Sequence, residues 1–106
     1  MQGFENYDLR VGTVVEVSIN KRARKPSYGI SIDFGDDIGI KMTSSPIVDT
    51  YTPESIIGMQ VIAVMNVGVM YIGDVKSEVK LLGVETETGA VLITPHESVV
   101  NGSRIY

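Results

Sequence analysis

The sequence predicts an all-β fold, a small barrel of short strands with a single brief helix. Three observations predict it. Apolar and polar residues alternate at a period of two through most of residues 8–45, the pattern of strands with one buried face. The one stretch with helix-start signals, 52–58, meets a glycine within a turn or two. Turn residues separate the other apolar runs.

In the first run Leu9, Val11, Thr13, Val15, Val17 and Ile19 take one face, and Arg10, Gly12, Glu16, Ser18 and Asn20 the other; Val14 alone breaks the phase. Lys21-Arg22-Ala23-Arg24-Lys25-Pro26 follows. Proline lacks an N–H, fixes φ and disfavours helix at the residue before it, so these four cations belong to a loop. The second strand sets Tyr28, Ile30, Ile32 and Phe34 against Gly29, Ser31, Asp33 and Gly35, and a tight turn at Gly35-Asp36-Asp37 leads to a third. There Ile38, Ile40 and Met42 are expected inward, with Gly39, Lys41 and Thr43 outward.

Residues 43–51, interrupted by Pro46, read as a connection. Thr52 as N-cap, Pro53 at the first helical position, Glu54 against the helix dipole and Gly58 as stop predict one or two helical turns. The run 59–67 is apolar through Val61-Ile62-Ala63-Val64-Met65, as in a strand buried on both sides. Residues 67–73 read as a loop that leaves Val69, Met70, Tyr71 and Ile72 with little polar screening, so a partner is expected there. Residues 75–84 return to strand, with Val75, Ser77, Val79 and Leu81 opposed to Lys76, Glu78, Lys80 and Leu82. A polar turn at 85–89 leads into 90–94, and Asn101-Gly102 marks a last turn.

Five strands, a short helix between the third and fourth, and a C-terminal hairpin extension make the arrangement of a five-stranded Greek-key OB-fold, whose sheet face and loops commonly bind oligonucleotides. Periodicity alone also fits other small β-barrels. With 106 residues the chain is expected to be one domain, 1–106, the barrel covering about 8–84 and the extension about 85–106.

Composition narrows the function. A hydrophobic fraction of 43% and a charged fraction of 21% are ordinary for a globular protein, and no apolar run reaches the roughly 20 residues that span a bilayer, so no membrane insertion is expected. The N-terminal MQGFENYDLR has no basic-then-apolar pattern, which leaves the cytoplasm as the expected compartment. Without cysteine there are no disulfides, thiolate nucleophiles or cysteine zinc sites. A net charge of −4 has the wrong sign for coating nucleic acid nonspecifically, so any such site must be a local patch. Lys21, Arg22, Arg24 and Lys25 within five residues, on a chain whose acids are scattered, are that patch.

Other groups assemble no catalyst. His96 is the only histidine and has no second ligand nearby in sequence. Asp36-Asp37 sits where a hairpin turn favours aspartate for backbone reasons. The glycines follow no phosphate-binding or dinucleotide pattern, and no nucleophile, base and oxyanion donor come together, so neither enzyme activity, cofactor nor metal is expected.

Across nearly its whole length the chain resembles the tRNA-binding domain family, and within it the CsaA-like proteins, described as export-related chaperones. The resemblance rests on Asp8-Leu9-Arg10-Val11-Gly12-Thr13-Val14, Ala23-Arg24-Lys25-Pro26-Ser27-Tyr28, Ile32-Asp33-Phe34-Gly35 and Ile38-Gly39-Ile40-Lys41. It continues in Ser44-Ser45, Tyr51-Thr52-Pro53-Glu54, Ile57-Gly58, Gln60-Val61-Ile62-Ala63-Val64, Asn66, Ser77-Glu78-Val79, Leu82-Gly83 and Asn101-Gly102. It implies tRNA as partner, a homodimer built through residues 90–106 and the N-terminal lead, and, for the CsaA-like branch, grooves for unfolded or presecretory polypeptides in protein export. Two departures stand out. Val79-Lys80 after Glu78 replaces the Gly-Met of many relatives and points to the CsaA-like branch, and 67–73 lacks the prolines and basic residue expected after Asn66.

A tRNA surface needs cations for phosphates and, at unpaired bases, aromatic faces for stacking. Lys21, Arg22, Arg24 and Lys25 supply the cations, Lys41, Lys76 and Lys80 extend the stripe on an OB face, and Asn66, Ser44, Ser45, Ser77 and Glu78 are placed to read sugar or base edges. The bland alternative for 21–25 is a solvated turn. Tyr28 and Phe34 share the apolar phase and are expected in the core, which leaves backbone and shape recognition rather than base readout. Val69, Met70, Tyr71 and Ile72 are the candidate polypeptide or dimer contact; Met59 and Met65 are expected in the core.

Overall fold

The computed structural model describes residues 3–106. Its longest strand, β1 (Leu9–Asn20), serves two neighbours: residues 13–20 pair with β2 (Ser27–Asp33) and residues 9–13 with β4 (Gln60–Val64), both antiparallel. A strand that changes neighbour midway curls its sheet, and a β-bulge between Val14 and Glu16 adds twist at the handover. The bulge also corrects the expected phase. Gly12 and Val14, not Leu9 and Val11, pack beside Ile32 and Phe34 of the neighbouring strand, Val14 directly opposite Ile32; a Cβ on Gly12 would stand 2.6 Å from Ile32 Cγ2 and 2.8 Å from the Phe34 ring. Leu9 and Val11 are buried outside this central cluster, and Val15 and Ile19, expected inward, are exposed.

β2 behaves as its alternation predicts. Tyr28, Ile30, Ile32 and Phe34 are buried in one cluster with Val14, Ile56, Val61, Ala63, Val79 and Leu81, each fully buried large side chain contributing about 1.5–3 kcal/mol. After the turn, β3 (Ile40–Ser45) starts two residues later than expected and shows the opposite phase. Tyr28, Ile30 and Ile32 pair with Ser45, Thr43 and Lys41, so the polar set lines the inner face while Ile40 is exposed. The turn dictates this register: Gly39, at φ +84°, donates its N–H to the Gly35 carbonyl and accepts from Phe34 N, so the ladder resumes only at Ile40. Thr43 tolerates burial because its hydroxyl donates to the Val79 carbonyl at 2.8 Å.

The helix α1 (Pro53–Ile56) is capped as its residues predict, Thr52 and Ser55 exchanging side-chain to backbone hydrogen bonds, and it buries Ile56. The remainder is more broken than the sequence pattern implies. Within 67–73, Met70–Ile72 forms a strand, β5, that pairs with β6 (Val75–Ser77) around Gly73-Asp74. The expected strand 75–84 is divided into β6, β7 (Lys80–Leu81) and the start of β8 (Gly83–Thr86), which forms a hairpin with β9 (Gly89–Leu92).

The main sheet has the order β3-β2-β1-β4-β7. Its free edges meet where Glu78 N donates to the Met42 carbonyl and Glu78 Oε1 accepts from Met42 N, so β3 is joined to the segment leading into β7 and the sheet closes as an OB-type barrel. Beyond β9 the chain returns along β1, with Arg10 bridging Arg104 and hydrogen bonds from Val11 N to Ser103 O and from Gly102 N to Val11 O. Among the described residues no helix is long and apolar enough to cross a membrane.

Candidate nucleic-acid interface

The loop of residues 21–26 is held at both ends. Ser27 Oγ donates to the Lys25 carbonyl, and Ala23 N to the Asn20 carbonyl. Asn20 itself is buried, and its Nδ2 donates to the Ile72 carbonyl at 2.6 Å and to Ser44 Oγ at 3.0 Å. One amide thus ties the end of β1 to β3 and to the β5–β6 hairpin. Gly73 permits the docking: at φ +58° its backbone lies so close to the loop that a Cβ would stand 2.7 Å from Ala23 N and 2.6 Å from Asn20 Oδ1. No other residue type fits both demands.

Lys21, Arg22, Arg24 and Lys25 are all exposed on this braced loop. Arg22 lies 3.5 Å from Asp74 on the docked hairpin, a solvent-exposed pair worth little. The other three have no ion-pair partner among the described residues. On the hairpin, Met70 and Ile72 share a face with the buried Val75 and Ser77, whereas Tyr71 and Lys76 stand directly opposite each other on the outward face. Lys76 thereby joins the same corner, and a cleft of about 400 Å³ runs between Arg22, Arg24 and Lys25 on one wall and Tyr71 and Ile72 on the other.

Two further clefts continue from it. One shares Ser44, Pro46 and Ile72 and is lined by Val67, Val69, Met70, Lys80 and Leu81; the next shares Val69 and Val79 and ends at Lys41, Glu78 and Asp8. Of the expected cations, Arg22, Arg24, Lys25, Lys80 and Lys41 thus line this run of adjoining clefts, whereas Lys21 and Lys76 line none of the three. Lys41 Nζ sits 4.0 Å from Glu78 Oε2.

The expected polar readers divide. Ser44 lies at the wall shared by two clefts, its hydroxyl accepting from Asn20. Ser45 and Ser77 are each 8% exposed, Ser77 Oγ lies 3.2 Å from Thr43 Oγ1, and Glu78 is bonded to the Met42 backbone. Asn66 accepts from Asp8 N at 2.9 Å and donates to the Asn6 carbonyl at 2.7 Å, so both ends of its amide hold the N-terminal lead. Val69, Met70 and Tyr71 are 59%, 62% and 71% exposed, and Ile72 is half-buried. His96 is exposed, and among the described residues no three of His, Cys, Asp and Glu gather as a metal site.

Sequence reasoning missed Asn20 and named Tyr71 only as a polypeptide or dimer contact. Asn20 reads as an ordinary strand-end polar residue because the groups that bury it lie 24 and 52 residues away. Tyr71 reads only as apolar cover because its nearness to the basic loop depends on the same docking.

Comparison with known proteins follows the same outline. A family model described as "Putative tRNA binding domain" matches residues 9–104. A methionine–tRNA ligase of Archaeoglobus fulgidus is 30% identical over 105 residues, covering 99% of this chain and 16% of the ligase, so the chain spans about a sixth of that relative's length. Among solved structures, the chaperone CsaA of Bacillus anthracis is similar with a TM-score of 0.88 and 39% identity over 100% of this chain and 99% of that one. The CsaA chaperone protein of Picrophilus torridus is similar with a TM-score of 0.91 and 39% identity over 97% and 94%. With the family pattern running from Leu9 to Arg104 along a closed OB-type barrel, the chain belongs to the tRNA-binding domain family, on its CsaA-like side.

Proposed function

We propose that this protein binds tRNA without catalysing a reaction, through phosphate contacts from Lys21, Arg22, Arg24, Lys25 and Lys76, with Lys80 and Lys41 farther along the groove. The observation that carries the reading is the bracing of the cationic loop. A solvated turn needs no buried amide and no close glycine contact to hold it, whereas Asn20 and Gly73 fix this one before any ligand arrives. Ser44 contributes at the cleft wall. Ser45, Ser77, Glu78 and Asn66 shape the surface rather than read bases, since their polar groups are buried or already bonded. On a chain of net charge −4 such a patch gives local rather than general affinity for nucleic acid.

The test is Arg22→Glu/Arg24→Glu/Lys25→Glu, measured by filter binding to a total tRNA pool. Affinity is expected to fall at least about a hundredfold, because three phosphate contacts become repulsions. Unchanged affinity would remove the patch from the account.

The exposed Val69 and Met70, over a cleft walled by Val67, Val79 and Leu81, favour a second role. In it the protein is a cytoplasmic homodimeric chaperone that holds unfolded or export-bound polypeptide in this apolar groove, the dimer forming through the C-terminal extension. Val69→Ser/Met70→Ser should then weaken capture of an unfolded model polypeptide and spare tRNA binding.

A further inference from the structure

We infer that Tyr71 is a stacking platform for an unpaired RNA base, forming with Arg24 and Lys25 a subsite for a single nucleotide. The inference rests on the tRNA-binding reading above and adds base contact to a surface otherwise limited to phosphates and shape. Tyr71 is 71% exposed, yet its hairpin is not free to move: the Ile72 carbonyl accepts from the buried Asn20, and Gly73 abuts the backbone of Arg22 and Ala23. The backbone that carries the ring is thus held in place, and the ring lies in a cleft it shares with Arg22, Arg24 and Lys25. Lys76, its cross-strand partner, supplies a cation on the opposite flank.

An aromatic face set among cations matches a nucleotide in both parts, the base on the ring and its flanking phosphates on Arg24, Lys25 and Lys76. A cleft of about 400 Å³ is of the size that takes a small ligand. An apolar peptide would leave those charges unmatched, and a duplex has its bases already stacked. The fitting partner is therefore a loop or single-stranded end. Arg22 also faces Asp74 at 3.5 Å, so within this subsite Arg24, Lys25 and Lys76 carry the larger share of the phosphate contacts.

The experiment compares the wild type with Tyr71→Ala, Tyr71→Phe and Tyr71→Leu on two probes, a single-stranded RNA decamer carrying 2-aminopurine and a blunt RNA duplex of equal phosphate number. The wild type and Tyr71→Phe should quench the 2-aminopurine. Tyr71→Ala and Tyr71→Leu should bind the single strand about tenfold more weakly and the duplex within about twofold of wild type, as expected for one lost stack. Single-strand affinity unchanged in Tyr71→Ala, while the wild type still binds tRNA in a salt-dependent way, would overturn the stacking role alone. Equal losses on both probes would overturn it too, and so would loss of unfolded-polypeptide capture with RNA binding intact. No RNA binding by the wild type would remove both readings.

Discussion

Two parts of the surface leave apolar side chains uncovered, and their surroundings differ. At the β5–β6 hairpin the exposed Tyr71 shares a cleft with Arg22, Arg24 and Lys25 and pairs across the strands with Lys76. At the C-terminal end Val84 and Val91 face each other across the β8–β9 hairpin, which also carries Glu85 and Glu87, and Ile93, Val99, Val100 and Tyr106 are exposed. Cations around an aromatic suit a polyanion with π faces. Paired valines suit another protein surface, and they adjoin the C-terminal extension through which the proposed dimer would form. Equal apolar exposure therefore predicts different partners once the nearby charge is counted.

The largest effect should come from Val84→Lys/Val91→Glu, which keeps the hairpin by placing opposite charges across the pair but removes its apolar face. Under the proposed dimer, sedimentation should show its dissociation constant rising about a hundredfold or more, with RNA affinity per protomer unchanged. A dimer of undiminished strength would place the self-contact elsewhere, and the comparison would break. Gly73→Ala acts on the other region. Its left-handed backbone costs about 1–2 kcal/mol with a side chain, before the clash with Ala23 N, so Tm should fall by about 5–10 °C and tRNA affinity should fall with it.

Asn20→Ala should act similarly but less, because it leaves the Ile72 carbonyl without its donor at a cost of about 1 kcal/mol or more. Thermal melts and filter binding on the same sample should move together; a lower Tm with full tRNA affinity would mean that hairpin docking does not position the site. The smallest effect is expected for Asp74→Asn. Removing the acid 3.5 Å from Arg22 should raise tRNA affinity by about two- to fivefold and leave Tm unchanged, since the exposed pair itself is worth about 0.2–1 kcal/mol.

Features set by near neighbours could be read from the sequence. The core face of β2 follows from strict alternation, the helix start from Thr52-Pro53, and the looped cations from Pro26. Features set by distant partners could not. Thr43 is buried because the Val79 carbonyl meets it across the barrel closure, 36 residues on, which an apolar count assigns to Met42 instead. Val14, the one residue that broke alternation in β1, was a signal of the bulge that turns Val15 outward. In the site, the charge cluster was legible, but its union with Tyr71 depends on Asn20 reaching the Ile72 carbonyl 52 residues away.

The central claim is that the braced loop meets phosphates, and a salt titration of wild-type binding to a total tRNA pool tests it most directly. With the five cations of the loop and hairpin engaged, and Lys80 and Lys41 adding to them, log K should fall against log salt with a slope of about −4 to −6, and Arg24→Gln or Lys25→Gln should each make it shallower by about 0.7–0.9. A slope near zero, or a slope that neither substitution changes, would contradict the account.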